Sequence, residues 1–318
     1  MKRLLALIFT ALICANGAGA QGYPDRPVRM IVPFPASGPL DLVARLFSQK
    51  LSEIWNKPVV VENRAGATGT IGTDAVSKTT ADGYTLLFTV DLPITMAPAL
   101  FKPPYDVKKD LLPIAIVSDG MSMLVVHPSI GVNTLAELVA LAKTKPGVLT
   151  YSSGGNASPG HMCGEMLKTA AGIDLAHVPY KGAAPAMTAA LAGEVSMFCG
   201  PVPQGLPHIK SGKLKALAVT GSAPSPLVPD IRPFSATYPG LVLSNWYGVL
   251  APPRTPAAIV QVLRNDLRCA SRDTDLRQKL SAAGIDPRWE EGADMEATLE
   301  RDLAKWTKVV RDANVKAD

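Results

Sequence analysis

Cysteine, net charge and long apolar runs are all in short supply in this 318-residue chain, and each shortage closes off a class of protein. Four cysteines are too few for a disulfide framework. A net charge of +5, with bases scattered and Lys108–Lys109 the longest basic run, gives no nucleic-acid or membrane-binding face. Beyond residue 20 no apolar run approaches the roughly 20 residues that span a bilayer, so no direct membrane insertion is expected. No segment has the low hydrophobicity of a disordered tract.

Apolar residues, at 47%, are enough for a full core, and the 28 prolines read as many fixed loops. The N-terminus carries Lys2 and Arg3, then "LLALIFTALICA", then "AGA" before Gln21. That is the pattern of a secretory signal over residues 1–20, cleaved after Ala20. Cys14 follows Ile13 and lacks the small residue that lipoprotein cleavage needs. The mature chain is expected to be exported and soluble. Three cysteines remain: Cys163, Cys199 and Cys269. Their odd number rules out complete intramolecular pairing. A Cys163–Cys199 bridge is open to an exported chain, but the narrow geometry that a bridge demands weighs against it.

Short apolar runs alternate with helical patterns. "VRMIVPF", "PVVVEN" and "YTLLFTV" read as strands separated by helices over 41–55 and 69–79, the signature of a parallel α/β sheet. "PIAIVSDGMSMLVVHP" reads as one or two strands. The order then restarts: helices over 134–144, 160–171, 183–192 and 203–211 alternate with the strands "VLTYSS", "AHVPY", "VSMFCG" and "LKALAVT". After a Pro-rich loop over 223–240 comes the strand "WYGVLAP", then helical patterns over 256–271, 273–283 and 294–313. Leu299, Leu303, Trp306 and Val310 form one helix face, expected to pack on the first unit. The expected organisation is two α/β units with a shared C-terminal region.

In each unit a small-residue loop caps a helix, "PASGPLD" in the first and "SSGGNASPGH" in the second. Gly38 lies 28 residues before Gly66, and Gly154 lies 28 before Gly182. Free N–H groups in a first helical turn, with the positive end of the helix dipole, make an anion site. In open α/β sheets such loops sit at the carboxyl ends of strands, where ligands bind. Two such loops across a cleft would present both to one ligand. For Asp41 the plainer role of favouring the helix dipole comes first.

Rival chemistries have weaker support. Gly66, Gly69 and Gly72, with Asp91 further on, fall between a strand and a helix, but their spacing is G-x-x-G-x-x-G, not that of a dinucleotide fingerprint. A secreted α/β hydrolase using Ser158 and His161, with Asp41 or Asp91 as orienting acid, is the alternative function; the run G-N-A-S-P-G lacks the nucleophile elbow. His161, Cys163 and Glu165 are the only local metal-like set, and the other histidines lack ligand spacing. No metal or cofactor is called for. Lys181 and Arg64, in matching turns, invite a carboxylate clamp, though charged turn residues are usually solvated. Trp246 and Tyr247 read as core or hinge packing.

The segments "YPDRPVRMIVPFPASGPLDLVAR", "VVVENRAGATGTIGTDAVSK", "ADGYTLLF", "HVPYKGAAPAM", "GKLKALAVT" and "WYGVLAPPRTP" together resemble the extracytoplasmic solute receptors of the tripartite tricarboxylate transporter family, the Bug proteins, over essentially the whole mature chain. The resemblance implies a periplasmic binding protein-like α/β fold: two α/β domains around a ligand cleft, joined by crossover strands. Domain I is expected over 24–123 with 224–318, and domain II over 124–223. It implies a non-enzymatic periplasmic receptor, expected as a monomer, that captures a small carboxylate and serves membrane subunits of a tripartite transporter. Dicarboxylic and aromatic acids rank first and acidic amino acids second. The resemblance implies a ligand between the loops matching "PFPASGPLD" and "SSGGNASPGH"; the expected ligand-binding residues are Phe34, Ala36, Ser37, Gly38, Asp41 and Thr89 on one side, and Ser153, Asn156, Ala157, Ser158, His161, Lys181 and Cys199 on the other. Two departures stand out. Ser37 replaces the first of two glycines usual in the family, and Cys199 stands where an Asp commonly follows the strand.

Overall fold

The computed structural model describes residues 22–156 and 158–312, with only the backbone of Ser244. The expected signal segment and the candidate residue Ala157 lie outside the described residues. Strand β1 (Val28–Val32) leads through helix α1 (Pro39–Trp55) to β2 (Val59–Asn63), and α2 (Thr70–Ser77) leads on to β3 (Thr85–Val90). β1 lies parallel between β2 and β3. Helix α1 forms because Leu40, Val43, Ala44, Phe47 and Leu51 recur at helical spacing and all are buried. Pro39, which needs no N–H bond in the first turn, starts it two residues earlier than the apolar pattern predicts.

A π-turn over Leu92–Met96 and a one-turn helix over Ala97–Leu100 follow β3; neither is expected from sequence. The run read as one or two strands is one 15-residue strand, β4 (Leu112–Val126). After α3 (Leu135–Thr144) come β5 (Thr150–Ser153), α4 (Pro159–Ala171), β6 (Ala176–Pro179), α5 (Ala183–Ala192), β7 (Met197–Pro201), α6 (Val202–Lys210) and β8 (Lys215–Val219). β5 runs parallel between β6 and β7, as β1 does between β2 and β3.

Strand β9 (Ser244–Ala251) returns antiparallel between β3 and β4. The chain closes with α7 (Ala257–Ser271), α8 (Thr274–Ala282), β10 (Ile285–Glu291) and α9 (Ala293–Asp312). The strand order is β2-β1-β3-β9-β4-β7-β5-β6, with β8 and β10 also paired to β4. β4 is the joint. Its first part pairs with β9 and β10, its last five residues with β7 and β8.

Two expectations are corrected here. β10 was not anticipated, because "IDPRWEE" carries charge and proline where an apolar alternation should be; those are features of a sheet edge. The C-terminal helix does not pack on the first half alone. Met295 and Leu299 join the core of Trp246 and Leu250, while Trp306 is buried with Phe234 among Leu124 and Tyr151 of the second half. A 20-residue helix spans about 30 Å, enough to reach both.

Candidate ligand cleft

A pocket of about 530 Å³ opens between the two halves, walled by the Phe34–Leu40 loop, the end of β3, Tyr247 of β9, Pro159 and Pro201. Most of these groups are apolar. The starts of α1 and α4 therefore meet at one cavity, each with proline as its first helical residue. The first-turn amides that follow the prolines have no intrahelical acceptor.

The α1 start is stitched by Asp41. Its Oδ2 accepts the Ser37 N–H at 3.0 Å and Arg45 Nε at 2.9 Å, and its Oδ1 accepts Asn63 Nδ2 at 2.9 Å. Asn63 Nδ2 also donates to the Phe34 carbonyl at 3.0 Å, tying the loop to the end of β2. Burial would raise the Asp41 carboxyl, but Arg45, the Ser37 N–H and Asn63 outweigh it and hold it below the usual range. Asp41 is buried and spent on the loop, so it stands behind the pocket wall and not in it. Ser37 has φ of 67°, the left-handed region where a side chain is strained and glycine sits freely. Phe34 rests on Gly69, where a Cβ would come within 2.9 Å of the ring.

The α4 start is held by other means. Ser158 caps the helix, its Oγ accepting the His161 N–H at 3.4 Å. Gly160 is pressed against β7: a Cβ there would lie 2.6 Å from the Cys199 carbonyl. Beside it Cys163 and Cys199 form a disulfide, correcting the sequence reading that weighed against one. α4 and β7 lie close enough to bring their Cα atoms to 6.4 Å. Cys199 therefore offers the cleft no thiol. Among the described residues the exposed Cys269 is the free cysteine.

Below the cap, the His161 ring stacks on His177 with centroids 3.9 Å apart, and Tyr151 stacks on His177 in turn. His177 Nε2 lies 2.6 Å from Ser153 Oγ, and the Gly155 N–H donates to that same oxygen at 3.2 Å. Glu165 accepts from Tyr151 Oη at 2.7 Å and pairs with Lys168 at 3.0 Å. Ser153 and His161 are thus buried loop supports.

Of the candidate residues, Phe34, Ala36, Ser37 and Gly38 line the pocket. Thr89 is fully buried, its Oγ1 donating to the Val90 carbonyl. Asn156 and Lys181 are exposed, and Arg64 pairs with Glu62 at 2.7 Å. Trp246 is fully buried as expected, but Tyr247 reaches the pocket. Sequence reasoning missed Val90, Leu92, Pro201 and Asn245. It weighed Asp91 only for other roles. The available signal was position: Asp91 directly follows the parallel strand β3, at the end where ligands meet such sheets. Its Oδ2 is buried without a partner. Burial first, then nearby Asp302 and Asp119 against an opposing Lys305, push its carboxyl up to about 8.

The rival chemistries lose their geometry. The His161 ring is in a histidine stack and the Ser158 Oγ accepts the His161 backbone N–H, so these two residues are not arranged as nucleophile and base. Among the described residues no cluster of three metal-ligating side chains exists, and Cys163 is oxidised. Gly69 and Gly72 are packing glycines, against Phe34 and Pro33. A larger cavity of about 950 Å³ lies against β10 and α9, where Arg288 pairs with Asp119 and Glu290, and Lys305 with Asp302.

Two α/β halves, strands crossing between them and a ligand-sized pocket walled by a helix start from each half define a binding protein of the periplasmic class. No described helix is long and apolar enough to cross a membrane. The chain belongs to the tripartite tricarboxylate transporter family receptors, whose family model matches residues 43–315. This is a family of binding proteins and not of enzymes. The chain is 35% identical to BugT of Bordetella pertussis over 99% of both sequences. It also superposes on an R. palustris structure with adipate (30% identity, TM-score 0.79, 92% of this chain and 99% of that one). A third match is MatC from Rhodopseudomonas palustris with bound malate (29% identity, TM-score 0.74, 91% of this chain and 100% of that one).

Proposed function

We propose that this protein is a periplasmic receptor that captures a small carboxylate between the α1 and α4 starts and delivers it to the membrane subunits of a tripartite transporter. The observation that carries the reading is the meeting of two helix N-termini, from opposite halves, at one largely apolar pocket. Amides and helix dipoles favour an anion there, and the apolar wall takes its carbon chain. The two structural relatives solved with adipate and malate support a dicarboxylate. The halves act as two domains, 24–123 with 224–318 and 124–223, with β4 and β9 as the crossing strands. Ser37, Gly38, Phe34 and Ala36 supply one wall, and Pro159 at the α4 start faces them. The signal segment is removed after Ala20, and the mature protein works as a monomer.

Calorimetry and thermal melts of the mature protein with dicarboxylates, aromatic acids, acidic amino acids, sugars and amines test this. A carboxylate at 100 times its dissociation constant should stabilise the fold by about 2.7 kcal/mol. Stabilisation by sugars or amines and by no carboxylate overturns the reading, and so does turnover of ester substrates. Intact-mass analysis should find Gln21 at the N-terminus and no lipid on Cys14.

A further inference from the structure

The crossing strand β9 brings two neutral polar side chains into the cleft. Trp246 turns away into the core, where its Nε1 donates to Asp302 at 3.2 Å, so the alternation of a strand turns Asn245 and Tyr247 to the opposite face, and both line the pocket. Tyr247 is 5% exposed, yet its phenol makes no hydrogen bond among the described residues, and its oxygen is not sealed off as the Asp91 Oδ2 is. The half-buried Asn245 amide likewise has no partner among the described residues. The two groups share one corner. Gly120 of β4 pairs directly with Asn245, and a Cβ at Gly120 would lie 3.1 Å from the Tyr247 hydroxyl. Directly paired residues present the same face about 5 Å apart, so the phenol lies over Gly120 beside the Asn245 side chain. Polar groups left unmatched in a largely buried setting are costly, and they are rare outside functional positions.

We propose that Asn245 and Tyr247 are specificity-determining residues that together bind an uncharged oxygen, a hydroxyl or keto group, carried on the carbon chain of the ligand. This rests on the carboxylate-receptor reading and deepens it: the helix starts take the charge, and β9 reads what the chain carries. Burial first, then the Asp91 and Asp119 carboxyls, push the Tyr247 phenol up, so it stays a hydrogen-bond donor at neutral pH. The Asn245 amide offers both an acceptor and a donor. A ligand hydroxyl can accept from the phenol while donating to Asn245 Oδ1, and a keto oxygen can accept from the phenol and from Asn245 Nδ2. A charged group fits this corner less well. Among the described residues no lysine or arginine lines the pocket to receive a carboxylate there, and an ammonium would leave the phenol proton unmatched. Bare methylenes would strip water from both groups and return no hydrogen bond, which is the penalty that makes such a corner selective.

The test is calorimetry on the mature protein with acids paired by the presence of that oxygen: succinate with malate, glutarate with 2-hydroxyglutarate and 2-oxoglutarate, butyrate with 3-hydroxybutyrate, and benzoate with 4-hydroxybenzoate. In at least one pair the wild type should bind the oxygenated acid about tenfold or more tighter than the bare one. Tyr247→Phe, which removes only the oxygen, and Asn245→Leu, which keeps the bulk, should each bring the affinity for that acid down towards that of its bare counterpart. Equal losses for both members of the pair would mean that these residues only shape the cleft, and overturn the proposal. So would the absence of any preference in a wild type that binds carboxylates, or a preference that survives in both variants. Melting curves of the free proteins give an independent check. Tyr247→Phe breaks no hydrogen bond within the protein, so it should melt as the wild type does; a large drop would mean that the phenol serves the fold, and would overturn its role here. Failure of every acid to bind the wild type would instead overturn the receptor reading, and this proposal with it.

Discussion

The two helix starts at the cleft share a plan and differ in how they are held. Both open with proline in the first helical turn after a small-residue loop at the end of a parallel strand. The α1 loop is held by a buried carboxylate with three donors, one of them charged. The α4 loop is held by a serine cap, a glycine with no room for a Cβ, and a disulfide. The first arrangement depends on protonation and bends the backbone at Ser37; the second is covalent and steric. A cleft whose walls are secured so differently should fail differently under the same insult.

The largest contrast is expected from one substitution made on each side. At Gly38 a Cβ meets only the Pro35 carbonyl at 3.5 Å, an ordinary contact, so Gly38→Val should fold. Its branched side chain would fill the pocket wall and crowd the amides, lowering ligand affinity about 100-fold, near 2.7 kcal/mol. At Gly160 the Cβ would lie 2.6 Å from the Cys199 backbone carbonyl, which cannot rotate away. Gly160→Val should therefore cost stability directly, by about 3 kcal/mol. Calorimetry and thermal melts on both proteins separate the outcomes, and equal effects on folding would break the comparison.

Removing the covalent element is next in size. Cys163 and Cys199 are 36 residues apart, and replacing both by alanine should cost roughly 3 kcal/mol. Reductant should lower the melting point of the wild type and leave the double variant unmoved. Because α4 is tied to β7 at that point, ligand affinity should also weaken.

The first side should answer to acid. The folded pKa of Asp41 is depressed, so its contribution is present above the ordinary carboxylate value of about 3.9 and is lost as pH falls through the lower folded value. Wild type should accordingly lose more stability than Asp41→Asn between pH 5 and pH 2. At pH 7, Asp41→Ala should cost about 2 kcal/mol, since Ser37, Asn63 and Arg45 all lose their acceptor. Urea titrations at several pH values would measure both.

Much of this was legible in the sequence because periodicity and turn chemistry are local. Helices α3, α5 and α6 fall within a residue of their predicted bounds, and the first loop lines a cavity that Pro159 of the second also borders. What escaped depends on neighbours distant in sequence. The edge strand β10 is defined by its pairing to β4, not by its own charged residues. The division of α9 between two cores follows from where Trp246 and Phe234 happen to lie. The disulfide needed the approach of α4 to β7, which Gly160 permits and spacing alone does not reveal. Residue type misled at Asp41 and Ser153, polar groups that build the loops and do not line the pocket. Asp91 went the other way, a residue weighed for other chemistry that borders the pocket.

The smallest expected effect is the most pointed, because it runs opposite to the usual direction of mutation. Ser37 sits at φ of 67°, where a Cβ crowds the backbone at a cost of roughly 1–2 kcal/mol, and glycine sits there freely. Its backbone N–H, the part that binds Asp41, survives substitution. Ser37→Gly should therefore raise stability, but by less than the full strain, because glycine also gives the unfolded chain more freedom; about 0.5–1 kcal/mol is the net expectation. The hydroxyl, which lies at the pocket wall, is lost at the same time. If that hydroxyl contacts the ligand, the variant should melt higher alone and gain less from ligand than wild type. Melting curves with and without adipate give both numbers. A lower melting point for the free variant would mean that Ser37 holds the loop through its side chain, and that the α1 start is less dependent on Asp41 than its bonding suggests.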